Sequence, residues 1–134
     1  MRKVMVFGAF DGVHEGHRAM LREAKRAGDY LIAVVAQDHV VQELKHRPPK
    51  HDMGSRMEML QRENLADEIV VGDIELGTYH IVQEHRPSVV AFGYDQDDFR
   101  RDFEGHLAEF EWHVDTVTLD PHEPEKYHSS ILHG

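Results

Sequence analysis

The sequence predicts a doubly wound α/β fold: a five-stranded parallel sheet with helices on both faces. Three observations predict it. Five runs of strand length, rich in Val and Ile, recur along the chain. Segments with helical spacing separate these runs, and a glycine-rich loop leads from the first run into the first helix. Apolar runs with little polar alternation suit strands buried on both faces. Alternation of such strands with helices calls for right-handed crossovers and a parallel, Rossmann-like sheet that binds ligands at the carboxyl ends of its strands.

The first strand is Lys3-Phe7, and Gly8 and Asp11 end its apolar stretch too soon for a signal-peptide core. From His17 to Ala27, Met20, Leu21 and Ala24 fall on one helical face. Tyr30-Ala36 is the second strand. The stretch from His46 to Asp52 cannot be helical through Pro48 and Pro49 and is expected as a loop. Met53 to Leu65, with Met57 and Leu60, predicts a helix, Glu68-Val71 the third strand, and Tyr79 to His85 a short helix. Ser88-Phe92 is the fourth strand. Phe99 to Glu111, with Phe103, Leu107 and Phe110 on one face, predicts a helix, and His113-Leu119 closes the sheet. The run from Asp120 to Pro124 is a second stiff loop.

Composition narrows the function. A chain of 134 residues fits one domain, 1–134. No apolar run approaches the roughly 20 residues needed to cross a bilayer, so no membrane partner is expected. With no cysteine, a disulfide framework and a thiolate metal site are both excluded, and a cytoplasmic location is the default. A formal charge of −10, with no dense basic run, repels a phosphate backbone, so nucleic acid is not an expected partner.

The loop Gly8-Ala9-Phe10-Asp11-Gly12-Val13-His14-Glu15-Gly16-His17 carries the chemistry. Glycines at 8, 12 and 16 permit tight turns and close backbone approach, and free amides at a helix start favour an anion. The loop is neither the dinucleotide fingerprint nor a Walker P-loop. His14 and His17, three residues apart, share one side of the helix entrance and could both face a phosphate. Taken alone, the pair could equally bind zinc or stand exposed, since the chain has 12 histidines. Its place after a buried strand, among glycines and at a helix start, favours the phosphate site.

That combination resembles the signature of the HxGH nucleotidylyltransferase (cytidylyltransferase-like) superfamily. Beyond this loop the sequence looks most like archaeal-type FAD synthases and glycerol-3-phosphate cytidylyltransferases. Leu44 to Lys50, followed by Arg56-Met57-Glu58-Met59-Leu60, is similar to the lysine-bearing loop and helix start of that group. Lys45, Lys50 and Arg56 are thereby expected at phosphates. Ala91-Phe92-Gly93-Tyr94-Asp95-Gln96 resembles the G-Y-D-Q segment of the FAD synthases, which puts Gly93 and Asp95 at the nucleotide. Lys126-Tyr127-His128-Ser129-Ser130 looks like the family's Ser/Thr-rich helix start, so Lys126, Tyr127, Ser129 and Ser130 are expected at the leaving phosphates. The arginine often found before that motif is missing, with Lys126 as its substitute, and the chain ends so soon after Ile131-Leu132 that the closing helix is expected to be almost absent.

The resemblance implies transfer of a nucleotidyl group to a phosphorylated acceptor with release of pyrophosphate. His14, His17 and Lys50 are the expected catalytic residues. Gly8, Ala9, Phe10, Glu15 and Gly16 join the nucleotide-binding set, and Mg²⁺ or another divalent cation accompanies the triphosphate. ATP with FMN is the expected pair, with CTP and a polyol phosphate such as glycerol 3-phosphate as the alternative; a non-catalytic nucleotide-binding module is a further one. Phe10, Tyr94, Phe99 and Trp112 are candidate stacking faces for a flavin ring. A homodimer is implied by the group's habit.

Overall fold

A computed structural model describes residues 1–120. The order of elements is β1 (Lys3–Gly8), α1 (Glu15–Arg26), β2 (Tyr30–Val35), α2 (Asp38–Lys45), α3 (Met53–Arg62), β3 (Glu68–Val71), α4 (His80–His85), β4 (Val89–Phe92), α5 (Asp97–Glu104), a 3₁₀ turn (Leu107–Glu109) and β5 (Asp115–Thr118). All four strand pairs are parallel and the order across the sheet is β3-β2-β1-β4-β5. The chain winds from β1 outward through β2 to β3, then returns to the other side of β1, so the switch point lies between β1 and β4. In such a sheet the crevice outside the carboxyl ends of those strands is the ligand site.

The period of two along each strand decides what covers the sheet. Val4, Val6, Leu31, Ala33, Val35, Val89 and Ala91 point to one face, where Leu21 and Ala24 of α1 and Leu60 of α3 pack on them. Met5, Ile32, Val34, Val90 and Phe92 point to the other, under Ile81 and Val82 of α4 and Phe103 of α5. Helices thus cover both faces, as the unbroken apolar runs require. Among the described residues no helix is long and apolar enough to cross a membrane.

Two elements differ from the sequence-based expectation. A helix over Asp38–Lys45, which the pattern did not mark, starts from Gln37, whose side chain makes no capping bond. It buries only Val40 and Val41, and Leu44 stays exposed, so its apolar stripe is too short to read. The helix expected from Phe99 to Glu111 is two pieces: α5 begins two residues earlier and stops at Gly105, whose N–H bonds the carbonyls of Arg101 and Phe103. Leu107 and Phe110 follow on a 3₁₀ turn and an extended residue, which still brings Phe110 into the core.

Candidate active site

The loop after β1 is bent by two left-handed residues, Phe10 (φ 52°) and Gly12 (φ 98°). Phe10 is buried, and its ring lies so close under Gly8 that a Cβ there would meet it at 2.9 Å. A non-glycine residue in this region costs roughly 1–3 kcal/mol and persists only where surrounding contacts hold it. Those contacts come from Asp11 and Arg56.

Asp11 is buried, and its Oδ2 accepts the Lys50 N–H at 2.6 Å. Its Oδ1 accepts the His51 N–H at 2.9 Å and meets His51 Nδ1 at the same distance. Burial alone would push this carboxyl up; the hydrogen bonds from Lys50 and His51 outweigh it and hold Asp11 below the usual carboxylate range. Arg56, fully buried, donates to the carbonyls of Ala9 (2.7 Å) and His51 (3.0 Å) and to Asp38 (2.6 Å). Three segments that are distant in sequence are thereby locked together: the phosphate loop, the start of α2 and the Lys50 loop. The expected role of Arg56 at phosphate is not what the geometry gives, because its guanidinium is spent inside the protein and does not line the cavity.

The two histidines open α1 as a reciprocal cap. His14 is the N-cap: its Nδ1 accepts the Gly16 N–H at 3.1 Å, while His17 Nδ1 accepts the His14 N–H at 3.3 Å. The rings stack with centroids 3.9 Å apart. An Nδ1 that accepts a hydrogen bond carries no proton, so each neutral ring bears its proton on Nε2. For His17 the neutral form is enforced. Burial is the main cause that brings its pKa down to about 4, helped by His14, Lys45 and Arg18, while a hydrogen bond with the Gly12 backbone works against it.

A cavity of about 1040 Å³ runs along the carboxyl ends of the strands. Gly8, Ala9, Phe10, His14, Gly16, His17, Lys45, Lys50, Gly93 and Asp95 all line it, so most of the expected site residues come together. Glu15 does not; it pairs with Arg18 and Arg22 along α1. Lys45 is the last residue of α2 rather than a loop residue, and half-burial lowers its pKa first, with Arg47 and Arg56 adding to this and Asp11 and Asp95 opposing it. Lys126, Tyr127, Ser129 and Ser130 lie outside the described residues. Of the aromatic candidates, Tyr94 and Phe99 line the cavity; Trp112 donates to the Pro87 carbonyl and sits under Arg86 away from it.

Gln96 is a residue that sequence reasoning passed over. Its Oε1 accepts the Gly93 N–H at 2.8 Å and its Nε2 donates to the Phe7 carbonyl at 3.0 Å. One amide therefore bridges the ends of β4 and β1 where they part, at the switch point. Its place in Gly93-Tyr94-Asp95-Gln96 was the available signal, but which of the polar pair turned inward was not.

Comparison with known proteins agrees with this geometry. The cytidylyltransferase-like family model matches residues 5–132. The chain is 38% identical over 95 residues to an FAD synthase of Thermococcus sibiricus, a match covering 71% of this chain and 64% of that protein. It is 35% identical over 134 residues to an FAD synthase of Aciduliprofundum boonei, across 100% of this chain and 85% of the relative. Among solved structures, a lipopolysaccharide core biosynthesis protein of Thermoplasma volcanium superposes with a TM-score of 0.84 at 28% identity, covering 92% of this chain and 99% of that one.

Proposed function

This chain belongs to the cytidylyltransferase-like family, and from that premise we propose that it is an FMN adenylyltransferase, transferring the adenylyl group of ATP to FMN and releasing pyrophosphate. The observation that carries the chemistry is the His14–His17 cap, two stacked imidazoles whose Nδ1 atoms are held by backbone amides at the lip of the cavity. ATP and FMN are chosen because relatives at 35–38% identity are FAD synthases.

In this reaction a phosphate oxygen of FMN attacks the α-phosphorus in line. The new P–O bond forms as the bond to the bridging oxygen breaks, and pyrophosphate carries away the charge. No general base is needed, since the acceptor is already an anion. The protein positions and neutralises. His14 lines the cavity with its Nδ1 already engaged by the Gly16 N–H, neutral His17 shares a hydrogen bond with the Gly12 backbone that a phosphate would replace, and Lys45 and Lys50 supply positive charge from α2 and its following loop. By resemblance, Lys126, Ser129 and Ser130 take the leaving phosphates.

Among the described residues no three His, Asp or Glu gather into a metal cage. Mg²⁺ with a triphosphate needs only one or two carboxylates beside the phosphate oxygens, and Asp95, on the cavity wall within electrostatic reach of Lys45, fits that demand. When bound, the metal neutralises phosphate charge. A homodimer in the cytoplasm is the working form that the resemblance supports.

The test is pyrophosphate release with Mg²⁺ across ATP or CTP against FMN, glycerol 3-phosphate and 4'-phosphopantetheine. Release with ATP and FMN alone is expected. Release with CTP and glycerol 3-phosphate alone would overturn the assignment.

A further inference from the structure

The cavity does not end at the phosphate loop. It continues across the ends of β2 and β3 to the connection between β3 and α4, and its wall changes character there. Every lysine, arginine or histidine that lines it among the described residues falls between His14 and Lys50. The far half is walled by Val34, Leu76 and Ile81 and by three rings: Phe7 and Phe99 meet edge-on at 5.0 Å, and Tyr79 lies nearly parallel to Phe99 at 6.2 Å.

Two further features set this half apart. Of the five large apolar side chains left exposed among the described residues, three line the cavity: Leu76 in this far half, and Leu44 and Tyr94 nearer the phosphate loop; Met1 and Ile74 lie outside it. Apolar exposure gathered at a cavity marks a ligand surface rather than scatter. The connection itself is strained and tied down. Gly77 (φ 82°) and Tyr79 (φ 53°) are both left-handed. Asp73 accepts the Ile81 N–H at 2.9 Å, Thr78 donates to the Glu75 carbonyl at 3.0 Å, and the Tyr79 hydroxyl donates to Asp102 at 2.6 Å. Strain of this kind, held by several bonds, fixes the Tyr79 ring in place before any ligand arrives.

We propose that this aromatic half is the subsite for the acceptor's planar ring system, and that Leu76, Tyr79 and Phe99 select an isoalloxazine-bearing acceptor over a small polyol phosphate. The assignment rests on the adenylyl-transfer reading above. The volume supports it: about 1040 Å³ lies just above the range for one small-molecule site, roughly 300–1000 Å³, and leaves room for a nucleotide and a second ring system. The charge supports it as well. Asp73, Glu75 and Asp102 line the far half, where they repel a second phosphate but accept hydrogen bonds from ribityl hydroxyls or a ring imide N–H.

The test compares steady-state constants for FMN and for ATP in the wild-type protein, Leu76→Asp and Phe99→Leu, with fluorescence titration of riboflavin, which has the ring but no phosphate. Wild-type protein is expected to quench riboflavin. Both variants should raise the KM for FMN by roughly tenfold or more, the scale of a lost apolar contact in a specificity pocket, while the KM for ATP stays within about twofold. Leu76 is half-exposed, so its variant decides the matter even if Phe99→Leu fails to fold. Wild-type FAD formation with an unchanged KM for FMN in Leu76→Asp would overturn the subsite and leave the adenylyl-transfer reading standing. No FAD from the wild type would remove the reading, and the flavin subsite with it.

Discussion

Asp11 holds the backbone of Lys50: one carboxylate oxygen accepts the Lys50 N–H at 2.6 Å across 39 residues of sequence, and the other accepts from His51. A residue of the phosphate loop thus places a cation that belongs to a different connection. Asp11→Ala leaves two backbone N–H groups without their acceptor, at about 1–3 kcal/mol. The expected outcome is a lower melting temperature together with a KM for ATP raised about tenfold, read by thermal denaturation and initial rates.

Arg56 makes the complementary prediction. Because its guanidinium is fully buried, Arg56→Lys should lose roughly 2 kcal/mol of stability, measured by urea unfolding, from a weakened ion pair with the half-exposed Asp38 and two carbonyls left partly unsatisfied. A variant with unchanged stability and a raised KM for ATP would return Arg56 to the phosphate.

His17 gives the fold a pH dependence with a definite sign. The unfolded ring takes up a proton near 6.5, whereas burial delays this to about 4 in the folded protein. Between these values the unfolded chain binds more protons, so stability falls as the pH falls through that window and is fully present above it. The shift corresponds to roughly 3 kcal/mol. Urea unfolding of wild type and His17→Asn at pH 7, 6, 5 and about 4.5 should show the wild type losing stability faster on acidification than the variant.

Gln96→Leu removes the bridge between Phe7 and Gly93 without adding bulk. The expected result is a loss of about 1–2 kcal/mol and a KM for ATP raised several-fold. The conservative Gln96→Glu should recover part of that KM as the pH is lowered, because only a protonated carboxyl can donate to the Phe7 carbonyl.

The fold was legible because parallel strands buried on both faces cannot alternate with polar residues, and Lys3-Phe7, Tyr30-Ala36 and their counterparts do not. The His14–His17 loop was legible because its spacing and glycines are local. What stayed hidden is what depends on contact between distant segments. Arg56 sits in the first turns of a helix that follows the Lys45 and Lys50 segment and reads as a phosphate ligand; only the arrival of Ala9, Asp38 and His51 around it makes it a structural tie. Asp11 and Gln96 were equally unreadable, since each satisfies backbone groups tens of residues away. Helix α2 escaped because a single buried turn, Val40 and Val41, leaves no period to detect.

Chromatographic analysis of flavins after incubation with ATP, FMN and Mg²⁺ tests the central claim, that the paired imidazoles of His14 and His17 promote adenylyl transfer to FMN. Wild-type protein should accumulate FAD with one pyrophosphate released per FAD, and His14→Ala and His17→Ala should each lower kcat by roughly 10²–10³, the scale of a lost transition-state donor. FAD formation at wild-type rates in both variants, or no FAD from wild type under conditions where CTP and glycerol 3-phosphate release pyrophosphate, would contradict it.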